Sequence, residues 1–410
     1  MHYPLSASMT AVAPALAAPD RARSLRSFFS LDLLDNRYPA LHGLRVLAII
    51  SVVQYHVTWI FAAERQLALP RSFVDGSLTI FFGMDLFFML SGFLIGSILL
   101  RSLQDSGTQN IRRFYIRRIF RTFPSYYVVL TTLALTLPLT AAQKKNLVFE
   151  YLYGTNFLEL APDHVVMVWG WSLSLEEQFY LTVPLLFFVL HRIRSDKARI
   201  GLLGAIWISA LIVRLVVYFR YAPWNDIVLY KALYFRTHSR FDTLVSGVLL
   251  AFVHARYGER IGRWLEAPFH RAVLALPSLS CLWILLRPDL FGVEHVQIVR
   301  IFAWGTLTSI MYFGALLLLL HSDGWIQREL SRPYFRKIAT LGYGVYLVHI
   351  PIIDHLVMPA VHALLDRQVS LAWLWPASLL ATMLVSLAIG YVLHVLIEKP
   401  SLWFRQRLAA

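Results

Sequence analysis

Apolar residues fall in long blocks along this chain, not on one face of short segments. A helix that crosses a lipid bilayer needs roughly 20 mainly apolar residues. Backbone polar groups cannot stay unpaired in lipid, so blocks of this length must be helical. The pattern predicts an all-α polytopic membrane protein with about ten transmembrane helices, at 44–63, 78–100, 118–139, 175–191, 199–219, 240–256, 269–287, 299–321, 338–358 and 371–397.

The composition favours the same class, since 58% of the 410 residues are hydrophobic and only 15% are charged. So little charge is rare in a soluble protein of this length. We divide the chain into a cytoplasmic tail at 1–40, a membrane domain at 41–403 and a C-terminal tail at 404–410. Ser24–Asn36 has the composition of a short amphipathic helix lying on the membrane. The single Cys281 excludes an internal disulfide framework and a cysteine-based metal site.

Lys and Arg residues are distributed unevenly between alternate loops. If the N-terminus lies inside, 26 of the 38 fall on the inner side and 12 on the outer side. Cytoplasmic loops of membrane proteins carry such an excess. We therefore predict that both termini are cytoplasmic. The net charge of +14 is explained by this topology and by anionic lipid headgroups, and we expect no nucleic-acid partner.

Ionisable side chains inside the predicted helices are the first candidates for function, because charge in a bilayer is costly. Arg45 and His56 are eleven residues apart on the first helix, which places them on one face and roughly 16 Å apart along the axis. Asp85 on the second helix lies at nearly the depth of His56, so these two side chains are expected to pair. The alternative is a buried His56 that is satisfied by a backbone carbonyl.

A basic run occupies the inner end of the third predicted helix. Arg118 and Arg121 are three residues apart and share a helix face. Two guanidinium groups suit bidentate contacts with phosphate, so they indicate a phosphorylated cytoplasmic ligand. Anchoring to lipid headgroups explains Arg112, Arg113 and Arg117 equally well.

A stretch rich in aromatic residues, Val168–Tyr180, leads into the fourth predicted helix and carries Glu176 and Glu177. Carboxylates in a first helical turn suit the helix dipole, which explains one glutamate better than two. We expect both to face the outer half of the membrane. Four further polar residues either line the interior or are structural contacts between helices, namely Arg240, Asp242, His349 and Glu398.

Taken in order, these residues resemble the membrane acyltransferase family 3, the bacterial glycan O-acyltransferases. The matching segments cover nearly the whole chain beyond the tail and are Leu44-Arg45 with His56, Asp85 to Phe93, Tyr115 to Arg121 with Pro124, Trp171 to Tyr180, Tyr343 and Tyr346 with His349, and Glu398-Lys399-Pro400. Two features depart from the family. Gly342 stands where the family usually has Ser, and we expect no C-terminal esterase-like domain of the kind that some members carry. We therefore expect the membrane domain to complete the transfer alone or to pass the acyl group to a separate acceptor-side protein.

The resemblance implies an acyl-CoA donor, with acetyl-CoA the expected form, bound from the cytoplasm. It implies transfer to a hydroxyl of a sugar or glycan on the other side of a bacterial cytoplasmic (inner) membrane, without a metal. The family's essential arginine and histidine fall on Arg45 and His56, and its arginine pair falls on Arg118 and Arg121. These arginines are the expected donor-binding residues, and His56 is the expected catalytic residue.

In the mechanism that these residues permit, His56 acts either as general base on the acceptor hydroxyl or as a nucleophile that forms an acyl-histidine. The family's acidic positions fall on Asp85, which would fix the tautomer of His56, and on Glu176. Glu176 or Glu177 would orient the acceptor. The remaining expected substrate contacts are Trp169, Trp171, Arg240, Asp242 and His349.

Two other function classes remain open from the residues alone. A transporter would use the same intramembrane charges as a proton relay or substrate pathway. The lack of a visible inverted repeat and the concentration of arginines at one mouth argue against it. An acyltransferase for a lipid or a secreted small molecule also fits, because acceptor choice lies in the loops. Coenzyme A dependence separates the transporter from the two enzymes.

Overall fold

The computed structural model of this chain describes residues 29–31, 34–63, 67, 69–106, 110–221, 230–286 and 303–408. Within them, all regular secondary structure is helical. Leu31–Ala410 forms one compact unit, and of the other unit, Met1–Ser30, only the last two residues are described. The predicted interfacial helix at Ser24–Asn36 lies largely outside the described residues. Its described parts, 29–31 and 34–36, are not helical.

The helices of the described residues are numbered here in chain order. They are α1 (Ala40–Ala63), α2 (Arg71–Leu78), α3 (Gly83–Ser106), α4 (Ile111–Thr136), α5 (Ala141–Tyr151), α6 (Gly170–Arg192), α7 (Asp196–Tyr221), α8 (Thr237–Arg240), α9 (Asp242–Trp264), α10 (Pro268–Leu286), α11 (Thr308–His321), α12 (Trp325–Leu330), α13 (Pro333–Ile352), α14 (Met358–Leu365), α15 (Leu371–Leu393) and α16 (Lys399–Leu408). Short 3₁₀ segments lie at Thr79–Phe82 and Thr155–Phe157, and π-helical segments at Tyr230–Tyr234, Ala303–Leu307, Ile353–Val357 and His394–Glu398.

Each of the ten predicted apolar blocks overlaps a helix. Seven helical stretches of the described residues are long and apolar enough to cross a membrane: Ala40–Ala63, Arg71–Leu103, Gly170–Arg192, Asp196–Arg220, Pro268–Leu286, Pro333–Leu365 and Leu371–Arg407. The other three predicted blocks fall on α4, α9 and α11. Of these helices, α4 and α9 carry several arginines each, and α11 has only 14 residues. The all-helical membrane class is confirmed, whereas the count of ten and the cytoplasmic termini stay predictions.

Two pairs of glycines allow helices to approach closely. A Cβ at Gly92 of α3 would overlap the carbonyl oxygen of Leu244 on α9, and one at Gly247 of α9 would overlap that of Met89 on α3. At the second crossing, a Cβ at Gly344 of α13 would lie 2.8 Å from the Cα of Gly390 on α15. Small residues at helix crossings are the usual means of close packing in membranes. These two crossings fix α3 and α13, which both contribute to the site described below.

The segment that leads into α6 is fixed by a buried carboxylate. Glu150, in α5, accepts hydrogen bonds from the backbone N–H groups of Val166 and Met167, both at 2.8 Å. Burial raises the pKa of the Glu150 carboxyl, and the two N–H donors oppose that rise. Immediately after this anchor, α6 begins at Gly170, five residues before the apolar block that predicted it.

Candidate active site

A cavity of about 910 Å³ lies between α1, α3, α4, α6, α13 and α16. Its lining contains eight arginines and three carboxylates. The arginines are Arg37, Arg45, Arg101, Arg113, Arg117, Arg118, Arg121 and Arg405, and the acids are Asp35, Glu176 and Glu398. A concave surface with such an excess of positive charge concentrates anions. We call it the basic cavity.

The three arginines predicted to hold the donor all line the basic cavity, Arg45 from α1 and Arg118 and Arg121 from α4. Among the described residues, none of the three is in an ion pair with a carboxylate. The Arg118 guanidinium lies 5.5 Å from the centre of the Tyr180 ring. Their N–H donors are therefore free for an external anion, and guanidinium groups bind phosphate bidentately.

The side chain of Glu176 also lines the basic cavity, where it accepts hydrogen bonds from the Ser91 hydroxyl and, at 3.1 Å, from the Tyr180 hydroxyl. The expectation that Glu176 faces the outer half of the membrane stays a prediction. Because α6 already begins at Gly170, Glu176 lies well inside the helix, not in its first turn. It therefore shares one cavity with the arginines that are predicted to bind the donor.

The hydrogen-bond contacts of His56 are to Val52 and His349. Its Nδ1 lies 2.9 Å from the carbonyl oxygen of Val52 and 3.2 Å from Nε2 of His349. The Nδ1 of His349 in turn lies 2.7 Å from the carbonyl oxygen of Tyr346. His349 is fully buried and His56 is half-buried. Sequence analysis placed His349 among the substrate contacts, whereas its observed neighbour is the catalytic candidate itself.

This geometry assigns a tautomer to each ring. A carbonyl oxygen only accepts, so both Nδ1 atoms carry the hydrogen when the rings are neutral. The Nε2 of His349 is then an acceptor, and the single Nδ1–H of His56 is shared between this nitrogen and the carbonyl oxygen of Val52. The Nε2 of His56 keeps its lone pair and has no hydrogen-bond partner among the described residues. That atom is therefore available as a base or nucleophile, and His349 occupies the orienting position.

The histidine pair lies about one helical turn from the end of the basic cavity. Tyr346 and Ser172 line the cavity, and their hydroxyl oxygens are 2.5 Å apart. His349 follows Tyr346 by three residues on α13, a rise of roughly 4.5 Å. Trp169 borders the histidine pair, since its ring centre lies 6.4 Å from that of His349. Its Nε1 donates a hydrogen bond to the carbonyl of Leu347.

The predicted pairing of His56 with Asp85 is wrong. Asp85 Oδ1 lies 3.0 Å from Nη2 of Arg240 and accepts from the Thr243 hydroxyl at 3.1 Å. Equal depth on neighbouring helices does not fix rotation about the helix axis. The close glycine crossing described above brings this face of α3 to α9, so Asp85 finds its partner there.

Arg240 and Asp242, predicted as substrate contacts, lie instead in a buried charge network. Asp242 Oδ2 lies 2.8 Å from Nη2 of Arg214, which also donates to the Thr306 hydroxyl at 2.6 Å. The side chains of Asp85, Arg214, Arg240 and Asp242 are all completely buried. Sequence analysis missed Arg214, although an arginine in the middle of the block 199–219 is the kind of intramembrane charge that signals a partner.

Trp171 and Glu177 are not among the residues that line the basic cavity. Trp171 is buried in an aromatic cluster, with ring centres 5.1 Å from Phe235 and 5.2 Å from Tyr234. No ring face is thus left for a sugar, which corrects its predicted stacking role. Glu177 is half-buried on α6 next to Glu176, and its role in binding the acceptor stays a prediction.

Comparison with known proteins gives a family and several relatives. A family model described as an acyltransferase domain matches residues 38–394. The chain is 27% identical over 330 residues to a Staphylococcus aureus protein provisionally named an O-acetyltransferase, covering 77% of this chain and 50% of that protein. It is 28% identical over 351 residues to the peptidoglycan O-acetyltransferase of Listeria monocytogenes, and this match covers 77% of this chain and 49% of that protein.

A Bacillus subtilis protein provisionally named a peptidoglycan O-acetyltransferase is 27% identical over 337 residues, with 78% of this chain and 49% of that protein covered. The chain thus spans about half the length of the curated relatives it matches. No solved structure gives a significant match to the chain.

Proposed function

This chain belongs to the membrane acyltransferase family 3, and from that membership we propose that it moves an acetyl group from cytoplasmic acetyl-CoA to a hydroxyl of a glycan beyond the bacterial cytoplasmic membrane. The membership identifies an acyltransferase and sets the transporter class aside. Relatives named for peptidoglycan O-acetylation support a glycan such as peptidoglycan as the acceptor. An acyltransferase for a lipid or a secreted small molecule is the alternative acceptor class.

One observation carries the proposal: the basic cavity ends about one helical turn from the histidine pair. The arginines that line it suit the phosphates of CoA. Arg45 and His56 are separated by roughly 16 Å along α1, a span suited to the pantetheine arm. In this arrangement the phosphates occupy the basic cavity while the thioester reaches the level of His56.

In the proposed reaction, Nε2 of His56 removes the proton of the acceptor hydroxyl. The hydroxyl oxygen attacks the thioester carbonyl, the carbon–sulfur bond breaks, and the CoA sulfur leaves with the proton from the imidazolium. The Nε2 of His349 accepts from Nδ1–H of His56 throughout and stabilises the imidazolium. The same Nε2 of His56 would attack the thioester first if an acyl-histidine forms.

The test is radiolabelled acetyl-CoA with purified protein in detergent. His56→Gln should lower CoA release to a glycan acceptor by about 10²- to 10⁴-fold, the usual contribution of a general base, and keep donor binding. Arg121→Ala should weaken donor binding by about 10- to 100-fold, since it removes charge-assisted hydrogen bonds to phosphate. Arg263→Ala, an exposed arginine of α9 outside the cavity, is the matched control and should change neither.

Release of CoA without acceptor separates the two roles of His56. A stoichiometric burst of CoA, with the label retained on the protein, would show that His56 forms an acyl-histidine and does not act as a general base. If wild-type protein neither binds nor consumes any short acyl-CoA, the proposed donor is wrong.

A further inference from the structure

A second cavity, of about 400 Å³, lies on the opposite face of α3 from the basic cavity. Leu100 and Leu103 line the second cavity, whereas Leu99 and Ser102 line the basic cavity. Residues three apart share a helix face, so the two pairs lie on different faces of α3. Both cavities therefore border the same end of α3, and the basic cavity extends farther along that helix. This second cavity is separate from the donor-binding arginines and from the histidine pair.

The second cavity is amphipathic. One part is apolar, formed by the two leucines of α3 with Phe187, Leu190 and Phe252, of which the last three are buried. Another part is polar and consists of His191, Arg194, Asp196, Arg199 and Arg256. A cavity with apolar and cationic parts side by side matches an amphiphile that has an anionic head and a hydrocarbon tail.

The charges of the second cavity are built around one carboxylate. Asp196 binds Arg199 through Oδ1 at 3.0 Å and Arg256 through Oδ2 at 2.6 Å. Arg199 is held further, because its Nε donates to the carbonyl of Leu190 at 3.0 Å and its guanidinium lies 5.9 Å from the Phe252 ring centre. Arg194 forms no ion pair among the described residues.

Three arginines and one aspartate leave an excess of two positive charges at this cavity. Asp196 is four-fifths buried and satisfied on both oxygens, so it orients Arg199 and Arg256 and cancels only one of the three positive charges. Guanidinium groups fixed in this way favour a phosphate, with which they form bidentate, charge-assisted hydrogen bonds.

We propose that the second cavity is a binding site for the phosphate headgroup of an anionic phospholipid, with the upper part of an acyl chain against its apolar wall. Arg194 and Arg256 contact the phosphate. Arg199 and Asp196 act as positioning residues, since they hold the guanidinium geometry. The site is distinct from that of the acyl-CoA donor, so the inference does not depend on the proposed reaction.

The experiment measures lipid binding by native mass spectrometry of the purified chain in detergent, without acyl-CoA. Phosphatidylglycerol and phosphatidylcholine with the same acyl chains are titrated separately. We expect the wild-type protein to bind phosphatidylglycerol more tightly than phosphatidylcholine. Arg194→Ala/Arg256→Ala should bind phosphatidylglycerol about 25-fold more weakly, because each arginine near a membrane surface contributes roughly fivefold. The control is Arg260→Ala/Arg263→Ala, which removes the same charge from exposed positions of α9 outside both cavities. Solvent and salt screen these charges, so binding should stay within about twofold of wild type.

Two results would overturn the assignment. Equal loss in the control pair would show that general surface charge attracts the lipid, not this cavity. Binding of glycerol phosphate as tight as that of phosphatidylglycerol would identify a soluble phosphate ligand in place of a lipid. Melting temperatures of both double variants confirm that each is folded, and the single variant Arg194→Ala, which breaks no ion pair, repeats the test with about a fivefold effect.

Discussion

At the scale of single residues, the partner of His56 decides how the site works. A carboxylate partner would place a negative charge beside the ring, whereas the observed partner, His349, is a neutral acceptor in the tautomer set by the carbonyl of Tyr346. A neutral partner still fixes the ring and leaves Nε2 of His56 free. It also avoids burying an unpaired charge near the end of the basic cavity.

The role of His349 is tested by removing its acceptor atom. We expect His349→Phe to lower turnover by about 10- to 100-fold, because the imidazolium of His56 loses a hydrogen bond worth roughly 1.5–3 kcal/mol. His349→Gln, whose side-chain carbonyl accepts from Nδ1–H, should recover part of that loss. Steady-state turnover of acetyl-CoA and donor affinity are measured together, with the exposed His355→Phe as control. Equal turnover in all three variants would remove His349 from the mechanism.

The Asp85–Arg240 pair is expected to serve stability, not chemistry. Asp85→Leu leaves the buried guanidinium without its carboxylate and should destabilise the fold by about 3–5 kcal/mol. Replacing both partners, as Asp85→Leu/Arg240→Met, should restore most of the melting temperature and retain acetyl-CoA binding. Thermal unfolding in detergent and donor binding are the two measurements. If Asp85→Leu alone kept its melting temperature but lost all turnover, Asp85 would be a catalytic residue.

At the scale of elements, the close crossing of α3 and α9 sets where the charged side chains meet. Glycines at the crossing let the two backbones touch, and this proximity brings Asp85 of α3 to Arg240 and Thr243. The packing of α6 has a similar effect, because it places Glu176 on the wall of the basic cavity. Both outcomes depend on how helices pack.

Adding one methyl group at this crossing tests its closeness. Gly92→Ala should destabilise the protein by about 1–3 kcal/mol, since the new Cβ overlaps a backbone carbonyl that cannot rotate away. Gly204→Ala on α7 is the control, because a Cβ there meets nothing within 4 Å. That control should stabilise its helix by about 0.5–1 kcal/mol. Equal melting temperatures for the two variants would show that the helices lie farther apart.

At the scale of the whole molecule, the open question is which side each loop faces. The excess of Lys and Arg on the side of the N-terminus predicts that Arg263 is cytoplasmic and that Lys144, before the fourth predicted helix, is outside. The basic cavity would then open toward cytoplasmic acyl-CoA.

Cysteine labelling measures this topology directly. Cys281 is the only native cysteine and is buried, so a Cys281→Ser background can carry one new thiol at a time. In intact cells, a membrane-impermeant maleimide should label Lys144→Cys, and it should label Arg263→Cys only after the membrane is opened. The reverse pattern would place the basic cavity on the outer side and exclude a cytoplasmic donor.

The sequence by itself determined the helical membrane class, the family and the set of arginines that we propose as donor ligands. Block length and hydropathy are local properties, and a charge within an apolar block is visible without knowing its neighbours. Arg45, Arg118 and Arg121 were found in this way, and all three line one cavity. The order of the motifs identified the family, because six matching segments in the same order are specific for it even though each segment alone is not.

Only the tertiary structure decided which side chains meet. Depth along a helix follows from residue number, but rotation about the axis and the choice of neighbouring helix follow from packing. His56 therefore meets His349, which is almost 300 residues away, and not Asp85 at the same depth. The second cavity likewise arises between α3, α6, α7 and α9, whose charges become one site only where the helices converge.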